Sequence, residues 1–254
     1  SPVIISDNSN FEVSVNRIMA GKTLNAGQIC LAPDYVFVPE GKKDNFVSQS
    51  KEIVSKMYPT LKENPDYTSV INQRHYDRLK GYIDEAQDKG AEVIEINPSD
   101  EDFDQQPNHK IPPTLIVNPD EDLSVMKEEI FGPVLPIKTY SDISETINYI
   151  NSKDRPLGLY YFGEDAKELD DILKNTTSGG VTINDVVFHV AQDNAPFGGV
   201  GPSGTGSYHG IEGFKNFSHA KTIYTQTKFD GLINIFRPPY GAKAKNALKM
   251  QIKP

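Results

Sequence analysis

One cysteine, Cys30, is all that 254 residues contain, so no intrachain disulfide framework can form and a reducing, cytoplasmic setting is the expectation. Positive charge is also scarce. The 26 Lys and Arg face 35 Asp and Glu for a formal net charge of -9, which argues against a general nucleic-acid binder. No run approaches the ~18 consecutive apolar residues of a membrane span; the longest, such as Val134 to Ile137, are strand-sized, and a span is excluded. Internal repeats and low-complexity tracts are missing. The five histidines (His75, His109, His189, His209, His219) show no zinc-type spacing, so no metal is expected. No Gly-Lys-Ser/Thr follows the glycine-rich stretch, and Gly21-Lys22-Thr23 lacks the earlier glycine of a phosphate-binding loop. Pro202-Ser203-Gly204 lacks both the motif and the strand-to-helix context of a Ser-His-Asp hydrolase. The chain opens on Ser1 rather than methionine, so its natural start is expected upstream, and the lack of a leader carries no weight.

What is present is an ordinary globular composition, 37% hydrophobic and 24% charged, long enough for one large domain or two small ones. Short β-branched runs at Val3 to Ile5, Tyr35 to Val38, Glu92 to Ile96, Thr114 to Val117 and Gly158 to Phe162 predict strands, with another at Leu135. Between them, Phe46, Ser50, Ile53, Val54 and Met57 form one helical stripe; Tyr76, Leu79, Ile83 and Ala86 form a second, and Ile143, Ile147 and Ile150 a third. Asp142 with Glu145, and Asp165 with Glu168, place a capping oxygen and a returning carboxylate three residues apart. Strands alternating with helices predict an α/β fold: an open, mostly parallel twisted sheet with helices on both faces. Asn97 to Pro113 reads as a surface loop. His219 to Gln226 reads as an isolated strand, followed by a Pro- and Lys-bearing tail without a convincing pattern.

Three segments could carry chemistry. Cys30 follows Asn25-Ala-Gly-Gln28-Ile just before the strand at Tyr35, where a turn can hold a thiol over the end of a sheet. A thiolate attacks carbonyl carbon well, and small or polar neighbours leave room for substrate and N–H donors. A buried inert thiol is the commoner fate of a free cysteine, and no cation lies close by in sequence. Glu128-Glu129-Ile-Phe131-Gly-Pro133-Val could set an acceptor and a flat apolar face beside a ligand, or be a solvated helix end next to a core aromatic. Gly199-Val-Gly201-Pro-Ser-Gly204 formally satisfies the dinucleotide fingerprint. It lacks the preceding strand, the following helix and the later acidic residue, and Pro202 removes an N–H that a phosphate would use. A close-packed backbone loop is the better reading.

In combination, Gly27-Gln28-Ile-Cys30, Glu128-Glu129-Ile-Phe131-Gly-Pro133-Val, and Asn184-Asp-Val followed by Pro196-Phe-Gly-Gly-Val-Gly201 resemble the aldehyde dehydrogenase superfamily, in order and spacing. Ala32-Pro-Asp-Tyr35, Tyr208-His-Gly210 and Phe217-Ser-His219 are more similar to its class 3 group, which includes bacterial coniferyl-aldehyde dehydrogenases. The resemblance covers nearly the whole chain and implies an NAD(P)-dependent enzyme oxidising an aromatic or medium-chain aldehyde. It implies that Cys30 forms a thiohemiacetal whose oxyanion is held partly by the Cys30 N–H, and then a thioester that water resolves. Glu129 would bond the nicotinamide ribose, Phe131 would pack beside that ribose and ring, Glu128 would be a solvated neighbour, and Phe197 and Phe188 would line the aldehyde pocket. Members of the family are about twice this length. The nucleotide-binding domain, the general-base glutamate and an oxyanion-hole asparagine all precede the Ser1 segment in that pattern. The chain thus resembles the C-terminal half: a catalytic domain over 1–218, then over 219–254 a strand and tail for association, most simply as a dimer through 219–226. NAD or NADP would be held mainly by the absent domain, leaving this half inactive alone. A CoA-acylating enzyme and a non-catalytic scaffold are the alternatives.

Overall fold

The computed structural model describes residues 1–231 and 233–252. Two compact units result, Ser1–Phe217 and Ser218–Pro254. The first is built in the order β1 (Pro2–Ile5), α1 (Phe11–Thr23), β2 (Tyr35–Pro39), α2 (Lys43–Met57), α3 (Gln73–Asp88), β3 (Glu92–Glu95), β4 (Thr114–Val117), α4 (Ser124–Lys127), β5 (Val134–Tyr140), α5 (Ile143–Ser152), β6 (Gly158–Phe162), α6 (Ala166–Asn175), β7 (Gly180–Ile183) and α7 (Gly210–Asn216). The second unit contains α8 (Ala242–Gln251). Among the described residues seven strands form one sheet in the order β3-β4-β5-β2-β1-β6-β7. Every pairing is parallel except β3 with β4, so the sheet is open and mostly parallel as the alternating pattern predicts.

The strand period explains how both faces are covered. In β1, Val3 and Ile5 join the layer under α1 and α2 with Val15, Ile18, Met19, Phe46 and Val54, whereas Ile4 points the other way, to Ile147 and Ile150 of α5 and Ile172 of α6. A further cluster packs Leu79, Tyr82, Ile83 and Ala86 of α3 on Ile116 and Val134. The caps follow the sequence signals. Asp142 accepts from Ser144 N–H at 2.8 Å while Glu145 reaches back to the Asp142 N–H at 3.2 Å, a complete capping box. Asp165 accepts from Lys167 and Glu168 N–H, but Glu168 turns instead to the Tyr161 hydroxyl at 2.8 Å. Residues 97–113 form no helix or strand. This loop is nevertheless anchored: Glu101 accepts from the N–H groups of Leu61 and Lys62, and Lys110 donates to Leu61 and Asn64 carbonyls.

Two features of the second unit depart from the sequence reading. Residues 219–226 form neither helix nor strand, because a strand exists only against a partner ladder and none is present among the described residues; Ile223 is 80% exposed. Conversely, α8 forms where no pattern was evident. Among the described residues no helix is long and apolar enough to cross a membrane.

Candidate active site

The parallel strands begin at one edge of the sheet, and the chemistry-bearing residues gather there. A cavity of about 730 Å³ is lined by Pro2 at the start of β1, Tyr35 at the start of β2, Leu157 just before β6, and Phe131 just before β5. Cys30, Glu128, Glu129, Lys22 and Asp34 line the same space. Residues nearly one hundred positions apart are thus brought together, as the spaced motifs imply.

Cys30 owes its place to a chain reversal after α1. Asn25 and Ala26 take left-handed conformations, both at φ 52°, and Gly27 follows at φ 73°. Gly27 also meets the other loop, since a Cβ there would lie 2.2 Å from the Gly132 carbonyl oxygen. Gln28 then acts as a side-chain stitch: its amide nitrogen donates to Ser69 O at 2.9 Å and its amide oxygen accepts from Ile71 N–H at 2.9 Å. Beyond the cysteine, Ala32 N–H closes a turn on Ile29 O, and the buried Tyr160 hydroxyl donates to Leu31 O at 2.6 Å. Held from both sides, the Cys30 residue is exposed rather than buried.

The Glu129 loop is equally fixed. Arg78 of α3 donates to the carbonyls of Glu129 at 3.2 Å and Ile130 at 2.6 Å, and to the Tyr82 hydroxyl. Tyr82 in turn donates to Glu128 Oε2 at 2.6 Å. Glu128 is exposed, as expected of a solvated neighbour, and this bond also ties it to α3. Glu129 is exposed, and among the described residues its carboxylate has no hydrogen-bond or ion-pair partner. Phe131 is 38% exposed and sits at φ 49°, a left-handed conformation that an aromatic residue adopts only under constraint.

Lys22 is the residue that sequence proximity missed. Eight positions before Cys30, in the last turn of α1, it is 1% exposed, lines the cavity, and donates to Pro33 O at 2.8 Å. Burial pulls its ammonium down to about 8, partly opposed by the negative charge of Asp34. The helical period of α1 was the available signal, since it places Lys22 on the side of Ile18 and Val15.

Phe188 and Phe197 are not brought to this cavity. Phe197 is 7% exposed, bridged to Tyr208 by two backbone hydrogen bonds and packed against His189 at 5.7 Å between ring centroids. Phe188 is 60% exposed and follows a tight turn at Val187, where φ is 67° and Phe188 N–H bonds Val186 O. The glycine-rich stretch closes on itself, with Gly204 N–H on Gly201 O and Val200 N–H on the Ser203 hydroxyl, so its amides are not arrayed for a phosphate.

Residues 1–223 match the model of the Aldehyde dehydrogenase family, and the chain belongs to that family. It is 56% identical over 254 residues to a probable coniferyl aldehyde dehydrogenase of Caulobacter vibrioides, covering all of this chain and 52% of that protein. Among solved structures it is similar to the substrate-bound state of Staphylococcus aureus AldH, with a TM-score of 0.83 and 36% identity over all of this chain and 53% of the other. It is also similar to an NADP-dependent glyceraldehyde-3-phosphate dehydrogenase of Bacillus halodurans in complex with NADP, with a TM-score of 0.73 and 29% identity over 84% of this chain and 43% of the other. The chain spans about half the length of the curated relatives it matches.

Proposed function

We propose that this chain is the catalytic half of an NAD(P)-dependent dehydrogenase that oxidises an aromatic or medium-chain aldehyde to its acid. The observation that carries the reading is the exposed Cys30 in one cavity with the unpartnered Glu129 carboxylate and the half-exposed Phe131 ring. The coniferyl aldehyde dehydrogenase relatives favour an aromatic substrate. A free carboxylate beside a flat apolar face on a rigid backbone suits a nicotinamide ribose, which Glu129 would hold and Phe131 would flank. The bound dinucleotide supplies a hydride acceptor.

This chain's own residues account for the steps up to the thioester. The Cys30 sulfur adds to the aldehyde carbon, and the Cys30 backbone N–H stabilises the oxyanion so formed. Loss of hydride from that carbon leaves a thioester on Cys30. A water deprotonated by a carboxylate from the preceding half cleaves it, releasing the acid and regenerating the thiol. Contacts to adenine and pyrophosphate fall to that other half, so the 254-residue chain alone binds NAD(P) weakly and turns over no aldehyde. Residues 219–226 supply a strand to a sheet across a dimer, with their apolar side chains exposed until that partner is present.

Cys30→Ser in the full-length protein tests the assignment. A serine hydroxyl without an adjacent base is a poor nucleophile, so NAD(P)H production should fall to background while the melting temperature stays within about 2 °C. Activity near wild type with unchanged stability would refute it.

A further inference from the structure

The nucleophile and the cofactor-facing residues sit on separate loops, and aldehyde oxidation needs both at one fixed distance. Three contacts set that distance. Gly27 against Gly132 limits how close the loops come. Arg78 holds the carbonyl side of the second loop from α3. The third is, among the described residues, the only direct hydrogen bond between the two: Asp34 Oδ1 accepts from the Ile130 N–H at 3.1 Å, across 96 residues of sequence.

Asp34 is well placed to transmit position. It lies four residues after Cys30, and the segment between is tied down by the Ala32–Ile29 turn and by the Tyr160 hydroxyl on Leu31 O. Its own N–H bonds Ser1 O beside the first strand. The preceding carbonyl, that of Pro33, accepts from the buried Lys22 ammonium, whose positive charge attracts the Asp34 carboxylate. On the far side, Ile130 is fully buried, its N–H held by Asp34 and its C=O by Arg78. Glu129 and Phe131 flank this clamped residue. Loss of the N–H acceptor frees one side of the clamp, and Phe131, held at positive φ, would relax first.

We infer that Asp34 is a positioning residue: by accepting from the Ile130 N–H it sets the separation between the Cys30 loop and the Glu129–Phe131 loop, and so the geometry of hydride transfer. The inference rests on the dehydrogenase reading above. A misplacement of about 1 Å can slow an enzymatic step about 100-fold. The expected signature is damage to hydride transfer and cofactor use with little damage to the thiol.

The test uses the full-length protein carrying this chain, with benzaldehyde and NAD+ as probes, and compares Asp34→Ala with Asp34→Asn. The asparagine amide oxygen can still accept from the Ile130 N–H, whereas alanine offers nothing. For Asp34→Ala, single-turnover hydride transfer should slow by about 30- to 100-fold and the KM for NAD+ should rise several-fold, with alkylation of Cys30 by iodoacetamide within about threefold of wild type. Asp34→Asn should recover about tenfold of the lost hydride-transfer rate. Hydride transfer by Asp34→Ala within about threefold of wild type overturns the inference. So does a parallel loss of alkylation and hydride transfer that asparagine fails to rescue, which marks a purely structural residue. Failure of the wild-type protein itself to reduce NAD+ would instead strike at the dehydrogenase reading.

Discussion

Gly27→Ala is the most direct perturbation of the site, because the new methyl group has nowhere to go. It would lie 2.2 Å from the Gly132 carbonyl oxygen and 2.7 Å from the Gly132 carbon, both backbone atoms. Gly132 cannot retreat easily, since its own Cα faces the buried Leu79 side chain so closely that a Cβ there would meet Leu79 at 2.4 Å. Alanine at φ 73° also takes on the left-handed penalty, about 1–2 kcal/mol. Forced displacement of packed atoms adds about 1–3 kcal/mol. Together these lower stability by roughly 2–5 kcal/mol, which in a domain of this size corresponds to a fall of about 5–20 °C in Tm. Gly81→Ala is the matched control: it lies inside α3 with nothing within 4 Å of the added atom, and alanine there should raise Tm by about 1–4 °C. Thermal unfolding followed by circular dichroism reads both. A Gly27→Ala variant melting within about 2 °C of wild type would refute the claim that the two loops touch through bare backbone.

Other outcomes follow from the same geometry. Glu129→Gln in the full-length protein should slow hydride transfer by about 100-fold with little change in Cys30 alkylation, and normal single-turnover kinetics would contradict its role at the ribose. Lys22 loses its proton at about 8 when folded and near 10.5 when unfolded, so the folded state binds fewer protons between those values and Lys22 contributes more to stability as pH rises. The stability difference between wild type and Lys22→Met should therefore climb with pH above 8, approaching about 1.4 kcal/mol per pH unit in urea titrations, and a pH-independent difference would count against the buried ammonium. Ile223→Pro removes a ladder N–H from 219–226 and should raise the dimer dissociation constant of the full-length protein; sedimentation showing no change would argue against association through this segment.

Most strands visible as β-branched runs have buried side chains, with β1, β4 and β6 buried along their whole length, although β3 was equally visible with its residues exposed or half-buried. The strand that the pattern missed, β7, offers only the short β-branched run Val181 to Ile183 after Gly179 and Gly180, and it is only half-buried. α8 was hidden for a related reason, because its alternating Ala and Lys leave only Ala244 buried and no apolar stripe to detect. At the site, Cys30, Glu129 and Phe131 were singled out in sequence by the motifs around them, and the fold gathers the three at one cavity. Lys22, Asp34 and Arg78 were not. Their contacts run to backbone carbonyls and N–H groups of remote loops, and sequence does not show which carbonyl will face an ammonium. Phe197, expected in the aldehyde pocket, packs against His189 and Tyr208 instead of lining this cavity; aromatic side chains serve equally as lining and as core, and sequence type alone does not say which.

The position of β1 in the sheet bears on how the domain is assembled during folding. Its neighbours come from very different distances along the chain: Val3 pairs with Val36 on one side and with Tyr160 on the other. Closing the longer loop costs about 1.4 kcal/mol more in chain entropy than closing the shorter one, so the β1–β2 ribbon has the advantage and β6 docks later. Until it does, Pro2–Ile5 presents an apolar strand with one row of unpaired N–H and C=O groups, a template on which a second copy of the chain could add its own strand. Aggregation of this protein during refolding would then be governed by four residues that end up in the interior of the finished sheet.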